Sequence, residues 1–385
     1  MSRIEKLIQE LCPKGIESYK LNTICIIKTG KGITQKDCTL NGKYPVISGG
    51  QTPMGYYNKM NRPANMVTIS RVGAYAGFVN YITQDFYLND KCFSLEIIDS
   101  SSIESKFLYY SIKNRENDII NLQSEGGVPT INTQKVGNIE IPVPPLEVQE
   151  EIVRILDKFT DLTAELQAEL QGRIQQYDFY RNRLLTYPDK NQKGETSPNG
   201  SSTHNSAIAK NEVRWVKLGD ICKKISSGKN KIKTNNGLYP VYGSTGIIAK
   251  TNSYVYEKEL ILIARVGANA GFIHLGKGKY DISDNTIFVD VNDNVYMKYI
   301  FHYLRNLNLN QFAKGGGQPL ITASQIKDLI IMVPSLKEQE HIVSILDKFD
   351  TLVNDMKQGL PAEIEALQQQ YEYYRNKLLS IKKAN

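Results

Sequence analysis

A nineteen-residue stretch occurs twice in this chain, and that repetition constrains the fold more than any other feature. Residues 141–159 read IPVPPLEVQEEIVRILDKF and residues 331–349 read IMVPSLKEQEHIVSILDKF, with thirteen positions identical. Each copy opens a long polar and apolar segment. One ends in Tyr180-Arg181-Asn182-Arg183-Leu184-Leu185, the other in Tyr374-Arg375-Asn376-Lys377-Leu378-Leu379. Apolar residues recur at threes and fours. The first copy has Ile152, Ile155, Phe159, Leu162, Leu166, Leu170 and Ile174; the second has Ile342, Ile345, Phe349, Leu352, Met356, Leu360 and Ile364. This spacing predicts one continuous helix per copy with a single apolar stripe. The stripe is narrow and flanked by charged residues, which suits a helix–helix seam better than a globular core. Pro144 and Pro334 stand just before the helices, where proline is tolerated. The second copy is four residues longer between its two motifs. Four residues make about one turn, so the seam continues through a stutter, with a kink expected near Gly359 and Pro361.

The rest of the chain repeats as well. Lys20-Leu21 matches Lys217-Leu218, and Tyr44-Pro45-Val46 matches Tyr239-Pro240-Val241. Arg71-Val72-Gly73-Ala74-Tyr75-Ala76-Gly77-Phe78 matches Arg265-Val266-Gly267-Ala268-Asn269-Ala270-Gly271-Phe272. Gly126-Gly127 and Pro129 match Gly316-Gly317 and Pro319. Between these marks lie short apolar runs (Ile24–Ile27, Tyr44–Ser48, Met66–Arg71, Gly77–Ile82, Cys92–Ile98) broken by Gly, Asn and Pro, the punctuation of short strands and tight turns. Residues 1–18 read as a short helix and a connector, and Ser105–Lys113 as a helix. The expected fold class is α+β: two β-rich domains joined by two long antiparallel helices in a coiled coil, related by an internal pseudo-two-fold. The boundaries read 1–144 for the first domain, 145–187 for the first helix, 188–213 for a flexible Ser-, Asn-, Lys- and Gly-rich linker, 214–334 for the second domain and 335–385 for the second helix. Antiparallel pairing follows from reach. A helix of about 40 residues is about 60 Å long, whereas a coil of roughly 25 residues spans only about 28 Å. A spacer of that length matches about 18 base pairs of duplex.

Composition excludes several classes. At 41% apolar and 23% charged the chain is an ordinary globular one. It has no apolar run long enough to span a membrane and no signal-peptide core at its start, so a cytoplasmic protein is expected. The five cysteines (Cys12, Cys25, Cys38, Cys92, Cys222) form no CxxC pair and read as reduced thiols. No histidine lies near Cys12, Cys25 and Cys38, which disfavours a metal site there. No GxxxxGK[ST] loop, no HExxH and no Asn/Asp-Pro-Pro-aromatic tetrapeptide is present. The four histidines are scattered. The chain reads as a non-catalytic recognition protein, and its net charge of +7 permits an acidic partner.

Basic clusters recur in both halves. Between Lys217 and Lys233 stand six lysines, among them Lys224, Lys229, Lys231 and Lys233, against one acid; the matching stretch of the first half carries Lys31 and Lys36. Lysines beside Gly and Ser suit phosphate contacts, although a solvated basic edge has the same composition. Arg71 and Arg265 precede a glycine at a strand end. There an arginine can pair with guanine or clamp a phosphate, or brace the turn internally. The loops holding Ser48 and Gln51, and Ser244 and Thr245, can reach base edges or serve as plain turns. Tyr75 and Asn269 differ inside an otherwise shared motif. Asparagine can pair bidentately with adenine and tyrosine cannot; neutral drift would leave the same difference.

The helix motifs PPLEVQEEIVRILDKF with YRNRLL, and VPSLKEQEHIVSILDKFDTLV with LPAEIEALQQQYEYYRNKLL, resemble those of type I restriction-modification specificity subunits. VKLGDICKKISSGK, YPVYGSTG and RVGANAGF resemble that family's target-recognition domains. The resemblance spans nearly the whole chain. It implies that each globular domain reads one half of a split double-stranded DNA target. It implies that the helices set the spacer and dock two modification subunits, with Ile152, Ile155, Phe159, Leu162 and Leu166, and Ile342, Ile345, Phe349, Leu352 and Met356, along the seam. It further implies S-adenosylmethionine on the modification subunits, and ATP and Mg on restriction subunits with translocase and nuclease activity, with no cofactor in this chain. The rival expectation is a two-module adaptor that binds protein or glycan partners through a coiled-coil spacer.

Overall fold

The computed structural model describes residues 2–39, 41–124, 127–186, 213–231, 236–315, 317–355 and 358–380. Lys233, Met356 and nearly all of the expected linker lie outside these residues. The chain divides into two compact units, Met1–Gln167 with Glu363–Asn385, and Ala168–Ala362. The first long helix therefore begins in the first unit and ends in the second, and the C-terminal helix does the reverse.

The first unit opens with α1 (Arg3–Leu11), whose Ile4, Leu7 and Ile8 join the core. Strands β1 (Ser18–Lys20) and β9 (Glu140–Pro142) pair, so the two ends of the domain meet. An antiparallel sheet has the order β2 (Cys25–Thr29), β8 (Cys92–Ile97), β5 (Met66–Ser70), β6 (Val79–Ile82). A second sheet sets β3 (Tyr44–Ile47) between antiparallel β4 (Gly55–Tyr57) and parallel β7 (Tyr87–Leu88). Alternation along the strands sends side chains to two cores. Val67, Ile69, Phe93 and Leu95 face α3 (Ser105–Asn114) and its neighbours, whereas Ile47, Ile82, Leu88 and Cys92 form a smaller cluster towards the three-stranded sheet. Short α2 (Leu21–Ile24), α4 (Glu116–Ile120) and α5 (Thr133–Gly137) complete the domain before α6 (Leu146–Leu185).

The second unit repeats this topology strand for strand. β10 (Arg214–Lys217) pairs with β18 (Ile330–Val333). The larger sheet runs β11 (Cys222–Ser227), β17 (Thr286–Val291), β14 (Leu260–Ala264), β15 (Ile273–Gly276). The smaller one runs β13 (Gly246–Thr251), β12 (Tyr239–Gly243), β16 (Asp281–Ile282), with β12 and β16 parallel. All five residues of β14 are buried, as a strand covered on both faces requires. α7 (Met297–Asn306) and α8 (Ala323–Lys327) precede α9 (Leu336–Asn354) and α10 (Leu360–Leu379).

Matching polar clamps fix the long helices to the domains. Gln149 and Gln339, each the fourth residue of its helix, are almost wholly buried. The Gln149 amide donates to the carbonyls of Ser102 and Pro144 at 2.9 and 2.7 Å and accepts the Glu104 N–H at 2.9 Å. Gln339 donates to the Pro334 carbonyl and accepts the Tyr296 N–H, both at 2.8 Å. The aspartate of each ILDKF motif grips an earlier helix of its own domain, α3 or α7. Asp157 accepts from Lys106 and the Tyr110 hydroxyl at 2.6 and 2.7 Å, and Asp347 from Lys298 and His302 at 2.6 and 2.8 Å. The motif phenylalanines meet the tyrosines of the YRN ends: Phe159 packs on Tyr371 and Tyr374, Phe349 on Tyr177 and Tyr180. Arg375 donates to Asn114 at 3.1 Å and Arg181 to Asn306 at 3.0 Å, each at the last residue of α3 or α7. So the two long helical segments pair within each unit, as expected from the repeat.

Two expectations need correction. The second segment is not one helix. α9 stops at Asn354 and α10 restarts at Leu360, so the four extra residues are taken up by a break rather than by a stutter. At Gly359 a Cβ would fall 2.4 Å from the Thr351 carbonyl oxygen, so any larger residue there would force the backbone to shift. Nor is the apolar stripe purely a seam. Ile152 and Ile342 are fully buried in the domain cores together with Leu156 and Leu346, and Ile155 packs against the same core as Ile152. Of the other seam candidates, Phe159, Leu166, Ile345, Phe349 and Leu352 are half-buried, and Leu162 is exposed. The first turns of each helix are thus domain core, where Asp157 and Asp347 also bind them to α3 and α7.

Candidate nucleic-acid interface

Four segments meet at one edge of each domain. The link is the short connection between β7 and β8, and its counterpart between β16 and β17. In the first domain the Asn89 N–H donates to the Ile47 carbonyl, the Arg71 N–H to the Lys91 carbonyl, and the Lys31 N–H to the Leu88 carbonyl. In the second, the Ser283 N–H donates to the Tyr242 carbonyl, the Arg265 N–H to the Asn285 carbonyl, and the Lys229 N–H to the Ile282 carbonyl. Gly30 and Gly228 sit in matching places. A Cβ there would lie 2.2 Å from the Leu88 oxygen or 2.3 Å from the Ile282 oxygen, so only glycine lets this segment pack so closely. Gly49 similarly approaches the Val72 oxygen, laying the Ser48–Gln51 loop against the Arg71 turn.

Arg71 and Arg265 occupy the same frame and are half-buried. Their guanidinium groups reach the carbonyls of Asp90 and Asp284 at 3.4 and 3.3 Å, long hydrogen bonds that leave most of the five N–H donors uncommitted. The internal role is therefore a weak brace to backbone and not a salt bridge. Beyond each arginine the chain makes a tight turn through two left-handed glycines, Gly73 and Gly77 or Gly267 and Gly271. Tyr75 and Asn269 stand exposed at the tip.

The remaining candidates divide. Gln51, Thr245, Lys31, Lys36, Lys224, Lys229 and Lys231 are exposed, and Ser48 and Ser244 half-buried. Lys31, Lys229, Ser48 and Gln51 fall on the segments just described. Ser244 and Thr245 form the two-residue turn of the β12–β13 hairpin. Lys36 stands apart on a 3-10 turn, and Lys224 lies over the Phe288 ring. The lysine cluster is less free than its sequence suggests, because Lys217 pairs with Asp328 at 3.0 Å and Lys223 with Asp293. The acids that answer these lysines lie far along the chain, out of view of a local charge count.

Sequence reasoning missed Lys91 and Asn285, both exposed, at the centre of the edge. It also missed Gln149 and Gln339; their identity at equivalent places in both repeats was the available signal. Burial pushes the Cys25, Cys92 and Cys222 thiols up to about 12. Among the described residues no group of three or more His, Cys, Asp or Glu can hold a metal ion, and no helix is long and apolar enough to cross a membrane.

Known proteins share this architecture. The profile of the type I restriction modification DNA specificity domain matches residues 13–176 and again 210–366. The EcoR124I/EcoR124II specificity subunit of the type I restriction enzyme of Escherichia coli is 30% identical over all of this chain and 98% of its own length. The E. coli EcoprrI specificity subunit is 33% identical over 56% of this chain and 51% of its length. In fold, the crystal structure of a type I S subunit from M. genitalium superposes with a TM-score of 0.67 at 19% identity, covering 94% of this chain and 95% of that one. Two matched domains, each carrying the same edge and the same helix clamps, place the chain in the type I restriction-modification DNA specificity family, as a specificity subunit.

Proposed function

We propose that each globular domain reads one half of a bipartite DNA target through the edge built around Arg71 or Arg265. The observation that carries this reading is the repeated backbone frame with divergent side chains on it. One frame presents Tyr75, Lys91 and a seven-residue loop, the other Asn269, Asn285 and a two-residue hairpin turn. Lys31 and Lys229 supply phosphate contacts beside those side chains. The long helices set the distance between the half-sites and dock two modification subunits. This chain does no chemistry itself. S-adenosylmethionine belongs to the modification subunits, and ATP with Mg to the restriction subunits that join them in the cytoplasm. The family match leaves the adaptor reading without support.

The test is co-purification with modification subunits, followed by methylome sequencing of cells with and without this chain. Adenine methylation at one bipartite motif should depend on it. A complex that forms while no methylated motif depends on the chain would overturn the reading.

A further inference from the structure

Resting on the half-site reading above, we propose that Lys91 and Asn285 are base-reading residues, Lys91 for a guanine in one half-site and Asn285 for an adenine in the other. Their backbones are held from both sides in the same way. The Lys91 N–H is accepted by the Asn89 side-chain oxygen at 3.2 Å, and the Asn285 N–H by the Ser283 hydroxyl at 3.2 Å. The carbonyl of each accepts the N–H of Arg71 or Arg265, at 2.7 and 2.9 Å. Asn89 and Ser283 are themselves almost wholly buried, so two different residues make one rigid turn. A side chain launched from such a turn starts from a fixed point while its tip stays free for a ligand, the arrangement a recognition residue needs.

Position and chemistry then agree. Both residues are exposed and sit between the glycine segment and the arginine turn. In the first domain the Gly49 Cβ position lies 3.5 Å from the Lys91 Cβ, so the Ser48–Gln51 loop borders it directly. The Lys91 ammonium lies 3.5 Å from the Asp90 carboxylate. That pair is open to solvent on both sides and weak enough to yield to a base. An ammonium offers donors only, which guanine O6 and N7 accept, whereas an asparagine amide offers one donor and one acceptor, the complement of adenine N6 and N7. The frame is common to both domains and the reading atoms are not. Two domains that must recognise different sequences require that division.

The test uses the complete complex with its modification subunits, carrying Lys91→Asn or Asn285→Lys, each read by methylome sequencing and by selection from a library randomised at both half-sites. Each substitution should change the preferred base at one position of one half-site, by roughly 5- to 150-fold. The other half-site and the spacer length should stay as they are. Selection of the wild-type sequence by both variants would overturn the proposal. So would a loss of binding to every sequence by a complex that still assembles, because that marks a phosphate contact. If the wild-type complex itself selects no bipartite site, it is the half-site reading that has failed, and the two failures are thereby told apart.

Discussion

The two domains differ least where they hold the helices and most where they face outwards. Gln149 and Gln339, Asp157 and Asp347, Phe159 and Phe349, and the arginine clamps Arg375–Asn114 and Arg181–Asn306 are the same device built twice. At the edge, Tyr75 stands for Asn269 and Lys91 for Asn285 on one backbone frame. A buried polar clamp has few solutions, since each donor and acceptor must be satisfied in place. An exposed tip has many. The comparison teaches that duplication kept the joint and freed the surface.

The largest effect is expected at the glutamines. Gln149→Ala removes the partner of the Glu104 N–H and of the Ser102 and Pro144 carbonyls, and costs about 1–3 kcal/mol for a group such as the Pro144 carbonyl that is left buried without one. Gln339→Ala strands two groups instead of three. Hydrogen exchange resolved by domain should show both substitutions loosening α3 or α7, the first more than the second. Equal protection in variant and wild type would remove the clamp role.

At the edge the expected effect is smaller. Arg265→Ala should weaken binding to the cognate site by about 1–3 kcal/mol if the guanidinium meets a base, or reduce the salt slope by about one if it meets a phosphate. Arg71→Ala should act alike in the other half-site. A salt titration with unchanged affinity rejects both roles.

Acid should separate the units. All four histidines lie outside the first unit. In the second, burial holds His274 below its ordinary 6.5, and burial also lowers His302 although Asp347 pulls the other way. A lowered folded pKa means the unfolded chain takes the proton first, so this stability is full above about pH 6.5 and drains as pH falls. Asp347 is lowered too: burial alone would raise it, and its bonds to Lys298 and His302 more than offset that, so its contribution is lost only in stronger acid. Urea unfolding from pH 7 to 5 should weaken the second unit more than the first, and His302→Gln should flatten that slope. Tyr110 fills the place of His302 in the first unit.

The smallest effect tests the helices. Gly172 lies inside unbroken α6 with open space around its Cβ position. Gly172→Ala should therefore stabilise the chain by about 0.5–1 kcal/mol. Gly359→Ala, which meets backbone at the break, should destabilise it. Matching signs in thermal melts would mean that the two arms are equivalent after all.

Much of the fold was legible because duplication turns one sequence into two readings of the same structure. The strands around Val46, Val67 and Phe93 showed as short apolar runs, and the helices as stripes with a period of three to four. Two-residue β7 and β16 carried no such signal, because they exist only through parallel pairing with β3 and β12. They proved decisive, since the connections that follow them gather the edge. Lys91 escaped notice for the same reason: nothing local distinguishes it from any surface lysine.

Two related domains and two helical arms could be read along the chain, because periodicity and repetition are local properties of it. Tertiary structure alone decided three things. The second arm breaks between the end of α9 at Asn354 and the start of α10 at Leu360, where Gly359 closes against the backbone of α9. The first turns of each arm belong to a domain core, because their apolar residues pack there beside the Asp157 and Asp347 contacts to α3 and α7. And Arg71, Lys91 and Lys31, like Arg265, Asn285 and Lys229, share one edge. Backbone hydrogen bonds between segments far apart in the chain, such as Lys31 to Leu88 and Lys229 to Ile282, put them there, and such pairings leave no mark on the sequence of either segment.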